Sequence, residues 1–207
     1  MQTQRARSAW LWLLMAGGVV LGLAFWFDAA VADWIARNHT RGAREFMRSV
    51  SRWGDWPSHI IAGSICAAIA YAKGSRRWFR IFVAMILACA IAGLAARVIK
   101  VGAGRARPSV QVDVGWNGPR LSSKYHAFPS GHTAASTAFF ATLAFVSWRV
   151  ASAFAVLPLL IAFSRMYVRA HYLSDVVFAV LLGLAVALAI SRTRFLREAT
   201  AAGERQP

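Results

Sequence analysis

Long apolar runs alternate along this chain with short, mostly basic breaks. A helix that crosses the hydrocarbon core of a bilayer needs about 20 largely apolar residues. Six stretches approach that length, roughly 8–27, 57–73, 78–99, 132–148, 150–168 and 172–191. Trp10, Trp26, Trp56, Trp78 and Trp148 stand near their ends, where interfacial aromatic side chains collect. The pattern predicts an all-α integral membrane bundle of six helices, one domain over residues 1–207. A competing reading takes Arg5, Arg7, the first apolar run and Ala30-Val31-Ala32 as a cleaved signal peptide. That run is long for a signal h-region, so it is kept as a span.

The breaks set the sidedness. The connection 73–80 holds Lys73, Arg76, Arg77 and Arg80 and no acid, and short basic flanks stay in the cytoplasm. Both tails, with Arg5, Arg7 and Arg205, are predicted on the same side. In the first long loop, 28–57, Arg37, Arg41, Arg44, Arg48 and Arg52 recur at helical spacing, with Phe46, Val50 and Trp53 on the opposite face. Residues 43–53 are therefore predicted as an amphipathic helix lying in the interface, its arginines toward anionic headgroups. A solvated loop helix is the plainer alternative. Gly18 and Gly22 read as a close-packing face within the bundle.

Composition narrows the class. The formal net charge is +16, yet 58 % of residues are hydrophobic and only 15 % charged. A nucleic-acid binder would spread such basicity over a polar surface, so no nucleic-acid partner is expected. Cys66 and Cys89 both fall inside apolar runs and read as packing residues.

Three polar clusters interrupt the apolar text: Lys100 through Arg107-Pro108, Phe128-Pro129-Ser130-Gly131-His132, and Ser164-Arg165 through His171 and Asp175. The end of the third span, the start of the fourth, the end of the fifth and the start of the sixth share one side of a membrane. All three clusters therefore face one compartment. Polar groups at such positions are costly and usually functional. Lys100, Arg107 and Arg165 supply three cations for the oxygens of a phosphate, the arginines as bidentate donors. The Ser130 hydroxyl and the Gly131 N–H add donors at a helix N-terminus. His171, with Asp175 four residues on, reads as a nucleophile whose tautomer a carboxylate fixes. His132 is placed to act as general acid and then base. No metal and no cofactor are expected, because Asp175 is the only acid in these clusters and hard cations want several carboxylates. His126 reads as a loop residue. Arg105 and Arg169 read as contacts to a second phosphate or as interface residues.

The three clusters, K-x6-R-P, P-S-G-H and S-R-x5-H-x3-D, resemble the motifs of the type-2 phosphatidic acid phosphatase and vanadium haloperoxidase superfamily, in its six-helix membrane branch. The resemblance runs over about 78–191 and keeps every motif spacing. It implies a phosphohistidine intermediate at His171, acid–base work by His132, orientation of His171 by Asp175, an active site on the periplasmic or outer face of a bacterial inner membrane, and no metal. The expected activity is hydrolysis of a lipid phosphate or diphosphate; undecaprenyl diphosphate, phosphatidylglycerol phosphate, phosphatidic acid and lipid A phosphates are all candidates. The alternatives are a lipid phosphotransferase using the same site, and a non-catalytic protein that binds or transports anionic lipid.

Overall fold

The computed structural model describes residues 2–110 and 113–203, with side chains from 11–110 and 113–198. The side chains of Arg5, Arg7, Trp10 and Arg205 lie outside this set. The described residues form nine α-helices and one 3-10 turn, Ser123–Tyr125. The helices are α1 Gln2–Asn38, α2 Arg41–Trp53, α3 Trp56–Ala72, α4 Arg76–Ala103, α5 Gly131–Val146, α6 Trp148–Ser152, α7 Val156–Tyr167, α8 Leu173–Ser191 and α9 Arg194–Gly203. Three of them, α1, α4 and α8, contain windows long and apolar enough to cross a membrane; α3 and α7 are shorter apolar helices.

Three boundaries differ from expectation, each for a physical reason. The first span was expected to end at 27, but α1 runs on through Asp28 to Asn38. Asp28 is buried and paired, so its charge does not expel the chain from the helix. The arginine stripe is consequently divided. Arg37 lies in the last turn of α1, Thr40 caps α2 by accepting from the Ala43 N–H at 3.3 Å, and the other four arginines ride on α2. On α2, Phe46 and Trp53 are exposed while Ser51 is buried. The stretch 150–168 was expected to be one span. Instead α6 ends at Ser152 and α7 begins at Val156, which puts Pro158 in a first turn, where its missing N–H costs no hydrogen bond.

At the centre, α5 packs between α4 and α8 through small side chains. Ala88, Ala92, Ala96, Ala134, Ala138 and Ala179 are all fully buried. Small residues let backbones approach where lipid removes the hydrophobic drive between helices. Gly183 makes the closest approach: a Cβ there would stand 2.8 Å from the Ala134 carbonyl oxygen. The expected packing role of Gly18 and Gly22 is not seen, since nothing lies within 4 Å of a Cβ at either. Large apolar side chains such as Leu14, Trp26, Leu94 and Leu159 point outward, as lipid-facing positions do. Cys66 and Cys89 are free thiols. Helix α9, read from sequence only as a basic tail, docks by burying Leu196, and Arg80 bonds Glu198 at 2.9 Å.

Candidate active site

The site assembles at one end of the bundle from four helix termini and the loop over them. Lys100 sits in the last turn of α4. Gly104 ends that helix in the left-handed region, with φ 56°, and a Cβ there would lie 1.6 Å from the Gly118 carbonyl oxygen. Only glycine fits such a turn. The chain then folds back across the helix ends: Ala106 N–H donates to Gly115 at 2.9 Å, Arg107 N–H to Lys124 at 3.0 Å and Ala127 N–H to Arg105 at 3.0 Å. These bonds hold Arg107 over the site. His126, fully inside this loop, bonds the Arg120 carbonyl through Nε2 at 2.8 Å, as a loop pin rather than an entrance residue.

Ser130 is the N-cap of α5 and is fully buried; its backbone N–H donates to the Asp175 carbonyl at 3.1 Å. The Ser130 hydroxyl accepts from Thr133 at 2.9 Å, which leaves its own proton to donate. Gly131 and His132 open the helix beside it. Space above Gly131 is shared with Lys100, whose Nζ would be 3.7 Å from a Cβ at that glycine. The α4, α5 and α8 ends are thus brought together as the motif order predicts.

His171 follows a turn in which Arg169 takes φ 58° and donates to the Pro108 carbonyl at 2.9 Å. His171 as a residue is 3 % exposed. Its Nδ1 lies 2.5 Å from the Ala127 carbonyl oxygen and 3.7 Å from Asp175 Oδ2. A carbonyl only accepts, so the proton resides on Nδ1 and the lone pair on Nε2. The expected carboxylate hydrogen bond is therefore corrected: the Ala127 carbonyl takes the proton, and Asp175 stands behind it. Asp175 Oδ2 accepts from the Tyr172 N–H at 2.7 Å, and Oδ1 from Arg105 at 2.5 Å. Burial first, and then the charges of Lys100, Arg165 and Arg107, push the His171 ring well below the usual imidazole range, against the pull of Ala127. The ring is neutral, as the nucleophilic role expected from the sequence would require.

The three expected cations converge. Lys100 and Arg107 line one cavity with Gly131 and His132, and Arg165 reaches Ser51 of α2 through a hydrogen bond. Both Arg107 and Arg165 keep a buried Nε–H with no acceptor. A buried donor left unpaired is costly, and phosphate oxygens are the matching acceptors. The cavity has a volume of about 620 Å³. Its polar end holds Lys100, Arg107, Arg97, Asp55 and His132. From there it runs down α3 and α4 past Trp56, Ile60, Cys89 and Leu94. His171 lies behind that wall rather than on it.

Three residues, Asp55, Asp28 and Ser174, were given no role from the sequence, and a fourth, Arg105, was given a different one. Asp55, the N-cap of α3, places Oδ1 3.4 Å from His132 Nε2. Asp28, Arg105 and Ser174 form a buried group behind Asp175. Arg105 was expected to meet a phosphate or the interface. It does neither, because it is turned inward between two carboxylates and is 7 % exposed. Ionisable residues near the ends of apolar runs are expensive unless paired, and that signal was present at Asp28. Among the described residues no cluster of three or more His, Cys, Asp or Glu is arranged to hold a metal ion.

Known proteins share this architecture. The family model described as "PAP2 superfamily" matches residues 81–199. Lipid A 1-phosphatases of Rhizobium johnstonii and Rhizobium etli are 37 % and 36 % identical over 94 residues, 44 % of this chain. Those matches span only 38 % and 40 % of the relatives' own lengths. A crystal structure of a transmembrane PAP2-type phosphatidylglycerolphosphate phosphatase from Bacillus subtilis superposes with a TM-score of 0.65 at 20 % identity, covering 91 % of this chain and 97 % of that one. Aquifex aeolicus LpxE gives 0.58 at 14 % identity over 81 % and 96 %. At such identities the likeness is one of fold.

Proposed function

The chain belongs to the PAP2 superfamily, and from that premise we propose that it is a single-domain membrane phosphatase that hydrolyses the phosphate of a lipid headgroup through His171. One observation carries the reading: Lys100 and Arg107, the latter with an unsatisfied Nε–H, sit with Gly131 and His132 at the polar end of a cavity that runs on past apolar side chains of α3 and α4. A phosphate headgroup fits the first part and an acyl or prenyl chain the second. A soluble phosphate ester would have no use for the apolar end.

The chemistry proceeds in two displacements. In the first, the His171 Nε2 lone pair attacks phosphorus. The bond from phosphorus to the lipid oxygen breaks, and His132 in its protonated form gives that oxygen a proton. In the second, His132, now neutral, takes a proton from water. The hydroxide oxygen bonds to phosphorus, the phosphorus–nitrogen bond breaks, and inorganic phosphate leaves. Lys100, Arg107, Arg165, the Ser130 hydroxyl and the Gly131 N–H hold the equatorial oxygens as charge develops, the stabilisation that usually dominates such steps. Asp175 keeps the imidazole in place behind Ala127. Asp55 Oδ1 stands 3.4 Å from His132 Nε2 and orients that ring toward the leaving oxygen.

Lipid A 1-phosphate is the first substrate to test, on the strength of the sequence relatives. Phosphatidylglycerol phosphate is the second. We place the site on the periplasmic face of an inner membrane, because Lys73, Arg76, Arg77 and Arg80 gather at the opposite ends of α3 and α4 and mark those ends as cytoplasmic. The test is phosphate release by the purified protein in detergent, with chelator present, from lipid A, phosphatidylglycerol phosphate, undecaprenyl diphosphate and phosphatidic acid side by side. Release from at least one is expected. Release from none, or transfer of the phosphoryl group to an added alcohol without free phosphate, would refute the assignment.

A further inference from the structure

We propose that Arg105, held between Asp28 of α1 and Asp175 of α8, is a positioning residue for the His171 nucleophile, so that α1 forms part of the catalytic apparatus. The proposal rests on the reading of His171 as nucleophile.

Arg105 lies inside the first motif but takes no part in its phosphate chemistry. One terminal nitrogen, Nη1, bonds Asp175 Oδ1 at 2.5 Å and Ser174 Oγ at 2.7 Å; the other, Nη2, bonds Asp28 Oδ2 at 2.7 Å. The Tyr172 ring centre is 4.3 Å from the guanidinium carbon and the Trp116 ring centre 5.0 Å. These rings pack against a guanidinium that is itself buried. Asp28 is anchored in turn, accepting from the Ser174 N–H at 2.8 Å and the Ser174 hydroxyl at 2.5 Å. The result is a buried chain of bonds that starts on α1 and ends on the carboxylate nearest His171.

The consequence for catalysis is geometric. With Oδ1 fixed by Arg105 and Oδ2 fixed by the Tyr172 N–H, the Asp175 carboxylate cannot rotate. Oδ2 is thereby kept toward His171 Nδ1, where it stabilises the positive charge the ring acquires on attack. A guanidinium has five donors in a rigid fork and no acceptor. That fork reaches two carboxylates and a hydroxyl at once, a span the compact ammonium of a lysine covers less well. Hydrogen-bonding partners behind metal-bound histidines change activity by about 10- to 100-fold when removed, and the same scale is expected behind a reacting histidine. Helix α1 lies outside the matched segment 81–199, yet through Asp28 it supplies one end of this chain of bonds.

A clamp that only staples α1 to α8 would behave differently, and the test separates the two. Arg105→Gln, Arg105→Lys and Asp28→Asn are purified as full chains, and kcat, KM for the lipid, inhibition by inorganic phosphate and melting temperature are measured on monodisperse protein. We expect kcat to fall about 10- to 100-fold in Arg105→Gln, less in Arg105→Lys and Asp28→Asn. KM and phosphate inhibition should stay within about twofold, because the Lys100–Arg107–Arg165 cluster is untouched. A folded Arg105→Gln protein with kcat within twofold of the parent overturns the proposal. So does a loss of kcat matched by an equal loss of phosphate inhibition. If Arg105→Gln does not fold, Asp28→Asn decides by the same criteria. His171→Ala is run alongside. Full activity there would refute the nucleophile assignment itself, whereas an inactive His171→Ala with a fully active Arg105→Gln refutes only the role of Arg105.

Discussion

Gly183 couples packing to the site, and its replacement by alanine gives a prediction with a magnitude. The new Cβ would stand 2.8 Å from the Ala134 carbonyl oxygen, 2.8 Å from Thr137 Cβ and 3.0 Å from the Ala138 nitrogen. Ordinary contact begins near 3.4 Å, so α5 and α8 must part by about 0.6 Å, since backbone atoms cannot turn aside. Overpacking of this kind costs about 1–3 kcal/mol, offset in part by the roughly 0.5–1 kcal/mol that alanine gains over glycine inside a helix. The melting temperature should fall by several degrees. Activity should fall too, because α5 carries Ser130, Gly131 and His132 while α8 carries Asp175. A misplacement of about 1 Å can cost about 100-fold, so the smaller displacement here is expected to cost about tenfold. Gly18→Ala is the matched control, since nothing lies within 4 Å of its Cβ; it should keep the parent rate and melt no lower. Thermal unfolding followed by tryptophan fluorescence, with phosphate release on the same samples, checks both variants. A Gly183→Ala protein as stable and active as the parent would refute the packing argument.

Three further outcomes follow from the same geometry. Gly104→Ala cannot hold φ 56° against the Gly118 carbonyl; it should displace the loop that carries Arg107, with loss of phosphate inhibition as the readout and unchanged inhibition as the contrary result. Leu196→Ala removes the buried anchor of α9 at the end of the bundle away from the site; it should destabilise by about 2–5 kcal/mol while kcat per folded molecule stays at the parent value, and a lost kcat would contradict this. His171 is held neutral in the fold while the unfolded chain protonates it near pH 6.5. Below that pH the unfolded state binds a proton the native state refuses, so this contribution to stability is fully present above pH 6.5 and is lost on acidification at up to about 1.4 kcal/mol per pH unit. His171→Gln should show a smaller fall in melting temperature from pH 7 to pH 5 than the parent, and an equal fall would contradict the burial argument.

The motif residues were legible because their chemistry is local and their spacing regular. Parity alone brought Lys100, Ser130, Arg165 and His171 to one end, and the structure puts them on the termini of α4, α5, α7 and α8 and the turn between the last two. What escaped was whatever depended on contacts distant in sequence. Asp28 read as the start of a loop, because nothing in its neighbourhood announces Arg105, 77 positions away. Asp55 read as part of a loop, yet as the cap of α3 it lands beside His132. The Ala127 carbonyl carries no side-chain signal at all, although it is the group that fixes the His171 tautomer. Apolar length likewise could not reveal that Pro158 shifts the start of α7 to Val156.

Whether His171 carries the phosphoryl group decides the mechanism. The parent protein and His171→Ala are mixed with a lipid phosphate labelled at phosphorus, in chelator, quenched in base within the first turnover and digested to peptides. The predicted result is label on the peptide that holds His171, stable in base and lost in acid, and absent from His171→Ala, which releases no phosphate. Label on another residue, or phosphate release by His171→Ala at the parent rate, would contradict the mechanism.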